Sequence, residues 1–102
     1  MKNDISILTK TEILERLKNF SGWSYAGDKI KKEFKFPSFA AVVSLIDALG
    51  PFCDQIDHHP DIHIFYTRVV FELQRFSVGD KVTERDFTVA KEIDRLYSEL
   101  SA

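Results

Sequence analysis

The chain has three histidines, His58, His59 and His63, and they fall within six consecutive positions. Histidine is the side chain best suited to both give and take a proton near neutral pH, so this segment is where chemistry concentrates. Asp54 precedes His58 by four residues. On a continuing helix that spacing lets a carboxylate orient an imidazole. Metal ligation is the competing use, because His59 and His63 also stand four apart and would share a helical face. Pro60 argues against it by pushing His59 toward extended backbone. Adjacent histidines before a proline also occur as plain polar turns. The carboxylate at Asp54 and a helix-to-strand junction, which projects side chains into clefts, tip the reading toward a proton-transfer site.

The elements around this segment are readable from spacing. Thr9 and Glu12 have capping-box spacing, and Ile13, Leu14, Leu17 and Phe20 recur at helical intervals until Ser21-Gly22. From Trp23 to Phe36 the period becomes two, with Gly27-Asp28 as a hairpin turn. Ile30, Lys32, Phe34 and Phe36 share one face; Lys31, Glu33 and Lys35 share the other, a solvated sheet face. Ser38 is the expected N-cap of a second helix. Its apolar stripe is Phe39, Val42, Val43, Ile46 and Leu49, and it runs, kinked at Gly50-Pro51, to about Ile56. Cys53 is expected in the core. Strands follow at about Ile62–Tyr66 and Arg68–Phe76. Gly79-Asp80 marks a loop, and Thr83 with Asp86 caps a last helix carrying Phe87, Ala90, Ile93, Tyr97 and Leu100 inward. The order predicts an α+β fold: one two-layer domain over residues 1–102, a four-stranded antiparallel sheet with three helices on one face.

Composition narrows the classes. The 102 residues allow one modest core, and 44% hydrophobic with 29% charged residues argues against disorder. One cysteine excludes an internal disulfide and a cysteine-based zinc cluster. An isoelectric point near 5.9 speaks against broad attraction to nucleic acid. No uninterrupted apolar run approaches the ~18 residues of a membrane span, and the start of the chain does not read as a secretory signal. A cytoplasmic protein without membrane contact is expected.

Asp54-Gln55-Ile56-Asp57-His58-His59-Pro60, then Tyr66, Val69 and Leu73, then Thr83-Glu84-Arg85-Asp86, resembles the pterin-4a-carbinolamine dehydratases. Leu17, Gly22-Trp23, Phe34, Phe36, Phe39, Ala90 and Ile93 extend the similarity over nearly the whole chain. The resemblance implies removal of water from 4a-hydroxytetrahydrobiopterin without metal or organic cofactor, in homodimers or homotetramers. His58 and His59 would be catalytic. Asp54, Pro60, Tyr66, Phe76 and Asp86 would bind or orient the substrate, although Asp86 also suits helix capping.

One position departs from the family. Its third active-site histidine, ten residues after the aromatic matching Tyr66, falls here on Phe76. Shifting by one residue offers Arg75 or Ser77 and restores no histidine, while His63 is a conceivable substitute. Phenylalanine stacks on a pterin ring but transfers no proton. A lost acid–base group removes roughly 10²–10⁴-fold in rate. The alternative reading is therefore a weakened, dehydratase-like protein with a protein partner. The family includes noncatalytic relatives that act in carboxysomal RuBisCO assembly, and an animal homologue that stabilises a transcription-factor dimer.

Overall fold

The structure, a computed structural model, describes residues 5–101. Helix α1 (Lys10–Leu17) is followed by strands β1 (Ser24–Ala26) and β2 (Lys29–Lys35), helix α2 (Phe39–Ile56), strands β3 (Asp61–Phe65) and β4 (Arg68–Leu73), and helix α3 (Glu84–Ser101). The strands form one antiparallel sheet in the order β1-β2-β4-β3, with all the helices packed on one face, as the sequence predicts.

Local chemistry accounts for the boundaries. The Thr9 hydroxyl accepts from the Glu12 N–H at 3.1 Å, and the Glu12 carboxylate accepts from the Thr9 N–H at 2.8 Å, closing the capping box of α1. Gly27 and Asp28 both take φ of 62°, the left-handed pair that suits a two-residue hairpin turn. Ser38 caps α2 through the Ala41 N–H at 3.1 Å. The helix continues through Pro51 as one element.

The core joins Ile30 and Phe34 of β2 to Val69, Phe71 and Leu73 of β4. Ile13, Val42, Leu45, Leu49, Cys53, Phe87, Ala90 and Ile93 descend on them from the helices. Phe34 meets Trp23, Phe71 and Tyr97 at ring separations of 6.2, 5.6 and 4.8 Å, an edge-on and tilted aromatic cluster.

Several expectations fail at the margins. α1 stops at Leu17, and Phe20 reaches the core from a turn. β4 ends at Leu73, so Phe76 opens a 3-10 turn (Phe76–Val78) rather than closing a strand. Leu14, Phe39, Val43 and Leu100 are exposed. On α2 the buried stripe runs through Val42, Leu45, Leu49 and Cys53, which turns Phe39 and Val43 aside. By length and mean hydropathy of 1.4, α2 would also qualify as a membrane span, contrary to the reading from apolar runs. Asp47 and Asp54 interrupt its apolar sequence, and its buried stripe faces the sheet.

Burial pushes the Cys53 thiol up to about 11. A raised folded-state value means the contribution to stability is complete below the ordinary thiol range near 9 and is lost as pH rises through about 11. Folded protein at pH 8 is expected to resist iodoacetamide, with labelling following global unfolding in urea. Rapid labelling without denaturant contradicts this placement.

Candidate functional site

The C-terminus of α2 builds the site. Asp57 takes the left-handed conformation at φ 54°. Its N–H donates to the Asp54 carbonyl at 3.3 Å, while the His58 N–H donates to the Cys53 carbonyl at 3.1 Å. This paired closure is a Schellman motif, made with aspartate where glycine is usual. The reversal sends successive side chains in different directions. His58 is 4% exposed and points inward. His59 stays at the surface, and Pro60 leads the chain extended into β3.

His58 Nε2 makes a very short contact with Asp86 Oδ1 at the start of α3. Asp86 is fully buried, and its other oxygen accepts from the Thr83 N–H at 2.7 Å and the Thr83 hydroxyl at 3.3 Å. It therefore serves as helix cap and histidine partner together. Arg75 completes the group: Nη1 lies 3.3 Å from His58 Nδ1 and donates to the Asp57 carbonyl at 2.6 Å, and Nε donates to Ser77 Oγ at 2.9 Å. Arg85 Nη1 donates to the Ile56 carbonyl at 2.9 Å. Two guanidiniums thus satisfy carbonyls that the end of α2 leaves without helical partners.

Asp54 serves His59, not both histidines. Its Oδ1 lies 2.8 Å from His59 Nε2. The helix does not persist to His58, and after the reversal at Asp57 it is His59 that meets Asp54. Among the described residues, His59 Nδ1 has no hydrogen-bond partner.

Asp57, His58, His59, Gln74, Arg75, Phe76 and Ser77 line a cleft of about 300 Å³. That is the lower end of the volume range of small-molecule sites. Phe76, 85% exposed, stands at its rim. Sequence reasoning reached Arg75 and Ser77 only as shifted alternatives to Phe76; the structure places all three at the cleft. Asp57 and Gln74 were missed there, since neither belongs to a spacing pattern.

Two expected residues lie elsewhere. Tyr66 occupies the turn between β3 and β4, 75% exposed. It is separated from His59 by the length of β3, whose five residues span roughly 17 Å at the usual rise of a strand. His63 pairs across the sheet with Val70, on the face away from the helices, and lies 3.5 Å from Glu72. The Lys29 ammonium beside Glu72, with a smaller contribution from His63, holds that carboxyl below its usual range. His63 therefore does not replace a cleft histidine. Among the described residues no three His, Cys, Asp or Glu side chains are grouped so that they could hold a metal ion.

Comparison with known proteins matches residues 6–96 to the family described as pterin 4 alpha carbinolamine dehydratase. The chain belongs to this family. A provisionally named pterin-4-alpha-carbinolamine dehydratase of Sulfolobus acidocaldarius is 45% identical over 89 residues, 87% of this chain and 97% of the relative. A similarly named protein of Picosynechococcus is 37% identical over 89 residues, 87% of this chain and 96% of the relative. Among solved structures, a transcriptional coactivator/pterin dehydratase from Brucella melitensis superposes with a TM-score of 0.84 at 28% identity, covering 89% of this chain and 98% of that one. A pterin dehydratase-like protein identified as a RuBisCO assembly factor in the alpha-carboxysome has a TM-score of 0.57 at 25% identity, covering 72% and 84%.

The two aspartates should separate in stability. Asp86→Ala strips a buried histidine and a buried N–H of their partner and is expected to cost at least about 2 kcal/mol. Asp54→Ala removes an exposed pair and is expected to cost less than about 1 kcal/mol. Urea unfolding measures both, and equal losses contradict the assignment.

Proposed function

We propose that this protein dehydrates a pterin-4a-carbinolamine to the quinonoid dihydropterin at the cleft beside His59. The observation that carries the reading is an imidazole oriented by a carboxylate and lining a cleft rimmed by an aromatic ring, its second nitrogen bound to no protein group among the described residues, in a chain of the dehydratase family. The reaction breaks the C4a–O bond. An acid protonates the departing hydroxyl, which leaves as water, and a base takes the N5 proton. A neutral imidazole that accepts the N5 proton becomes the acid for the hydroxyl, so one histidine returns to its starting state each cycle. Asp54, at 2.8 Å from Nε2, leaves Nδ1 of His59 without a protein partner and available for proton exchange. Phe76 offers a stacking surface, Pro60 sets the direction of His59, and buried His58 with Asp86 supports the floor. Tetrahydropterin recycling in the cytoplasm, without a metal or organic cofactor, is the setting that goes with this chemistry.

A second reading is a protein-binding or assembly role. Phe76 in place of a proton-transfer residue favours it, as does the likeness to a RuBisCO assembly factor. β3 is an edge strand, and its Ile64 and Phe65, on opposite faces of the sheet, are both exposed, as is Tyr66 in the adjoining turn. This open edge suits self-association into a dimer or tetramer, or a protein partner.

A stopped-flow dehydration assay on purified protein tests the first reading. Turnover above the spontaneous rate is expected, and His59→Ala should lower it by about 10²–10⁴-fold. Turnover no faster than background contradicts catalysis. Phe76→His, which returns an imidazole to the rim, is expected to raise the rate; an unchanged or lower rate removes Phe76 as the limiting difference.

A further inference from the structure

The contacts around His58 restrict its protonation pattern. A guanidinium only donates hydrogen bonds, so the His58 nitrogen facing Arg75 Nη1 at 3.3 Å must present a lone pair. A neutral imidazole with its lone pair on Nδ1 carries its proton on Nε2, where the Asp86 carboxylate accepts it. The opposite tautomer sets N–H against N–H at Arg75. Turning the ring over puts a C–H against a fully buried carboxylate oxygen.

Arg75 is itself held in place. Its backbone N–H donates to the Lys81 carbonyl at 2.8 Å and its carbonyl accepts from the Asp80 N–H at 3.0 Å, closing the short loop that carries Phe76 and Ser77. Its side chain is 13% exposed and spans from Ser77 Oγ to the Asp57 carbonyl. One residue thereby ties the Phe76 loop, the αL turn at Asp57 and the ring of His58 into a single unit.

We propose that Arg75 is a positioning residue that locks His58 as the Nε2–H tautomer, leaving His59 as the histidine that exchanges protons with the ligand. The proposal deepens the dehydratase reading and rests on it for the role of His59; the tautomer lock itself stands without turnover. Both ring nitrogens of His58 are occupied by protein, whereas His59 lines the cleft and keeps one nitrogen free of protein partners among the described residues. The two neighbouring histidines are therefore not interchangeable. A residue adjacent to the position of the family's third histidine holds the buried one in a fixed state.

Nitrogen NMR of the full chain, labelled with ¹⁵N-histidine and recorded at pH 8, tests this directly. The expected wild-type spectrum has His58 Nδ1 in the unprotonated range and Nε2 in the protonated range. In Arg75→Met, which keeps side-chain length but removes the donors, no donor opposes a proton on Nδ1, so the His58 Nδ1 signal should move toward the protonated range while Nε2 stays protonated against Asp86. In Arg75→Lys, which keeps one cationic donor, the Nδ1 signal should return part-way. Turnover should follow, with kcat of Arg75→Met falling up to about 100-fold through misplacement of the cleft while KM changes less. A wild-type His58 protonated on Nδ1 overturns the proposal whatever the variants do. So does a His58 Nδ1 that stays fully unprotonated in both variants, which would assign the lock to Asp86 alone. If Arg75→Met does not fold, the Lys variant and the wild-type spectrum decide. Absence of turnover with the expected spectra removes the dehydratase reading and leaves the lock in place.

Discussion

The buried contact between His58 and Asp86 is the constraint on which the rest of the site depends. It joins the residue just past the C-terminal cap of α2 to the first turn of α3, two elements separated in sequence by β3 and β4. Burying a carboxylate is costly unless every oxygen is engaged, and Asp86 meets that condition with His58 on one oxygen and Thr83 on the other. The same carboxylate satisfies a backbone N–H at the start of α3, where the helix dipole favours negative charge. Capping and histidine support are thus one interaction rather than competing descriptions of Asp86.

From that anchor the site divides into a rigid interior and an accessible edge. His58, Asp86 and Arg75 form the interior, and their polar atoms face protein. Asp54, His59 and Phe76 form the edge, where side chains are free to meet a ligand. Pairing a histidine with a carboxylate occurs twice, once buried and once exposed, with different consequences. In the buried pair it holds two helices together. In the exposed pair it orients a ring whose remaining nitrogen is open, and such preorganisation is what acid–base chemistry requires.

The sheet, its hairpin turn and the helix caps were legible because each rests on a short pattern: alternation in Lys29–Lys35, Gly27-Asp28 between extended pieces, Thr9 with Glu12. The histidine pair was legible for the same reason. The partner assignment was not, because Asp54 reaches His59 only after the αL reversal at Asp57, and a position four residues apart says nothing about a turn that intervenes. Asp86 is 28 residues from His58, and Arg75 is 17 residues away, so their convergence is a property of the packed fold. The exposed Phe39 and Val43 mark another limit: a broad apolar stripe shows that a helix is amphipathic but not which part of it the sheet covers. Tyr66 belonged to the family resemblance, and within one chain it lies at the far end of β3 from the cleft.

The claim that the cleft beside His59 receives the pterin is tested most directly by titrating a non-reactive reduced-pterin analogue while following side-chain NMR signals of histidines and aromatics. Saturable shifts at His59 and Phe76, with His63 and Tyr66 unmoved, are the predicted result. Shifts confined to Tyr66 and Phe65, or no saturable shift at His59, contradict the account.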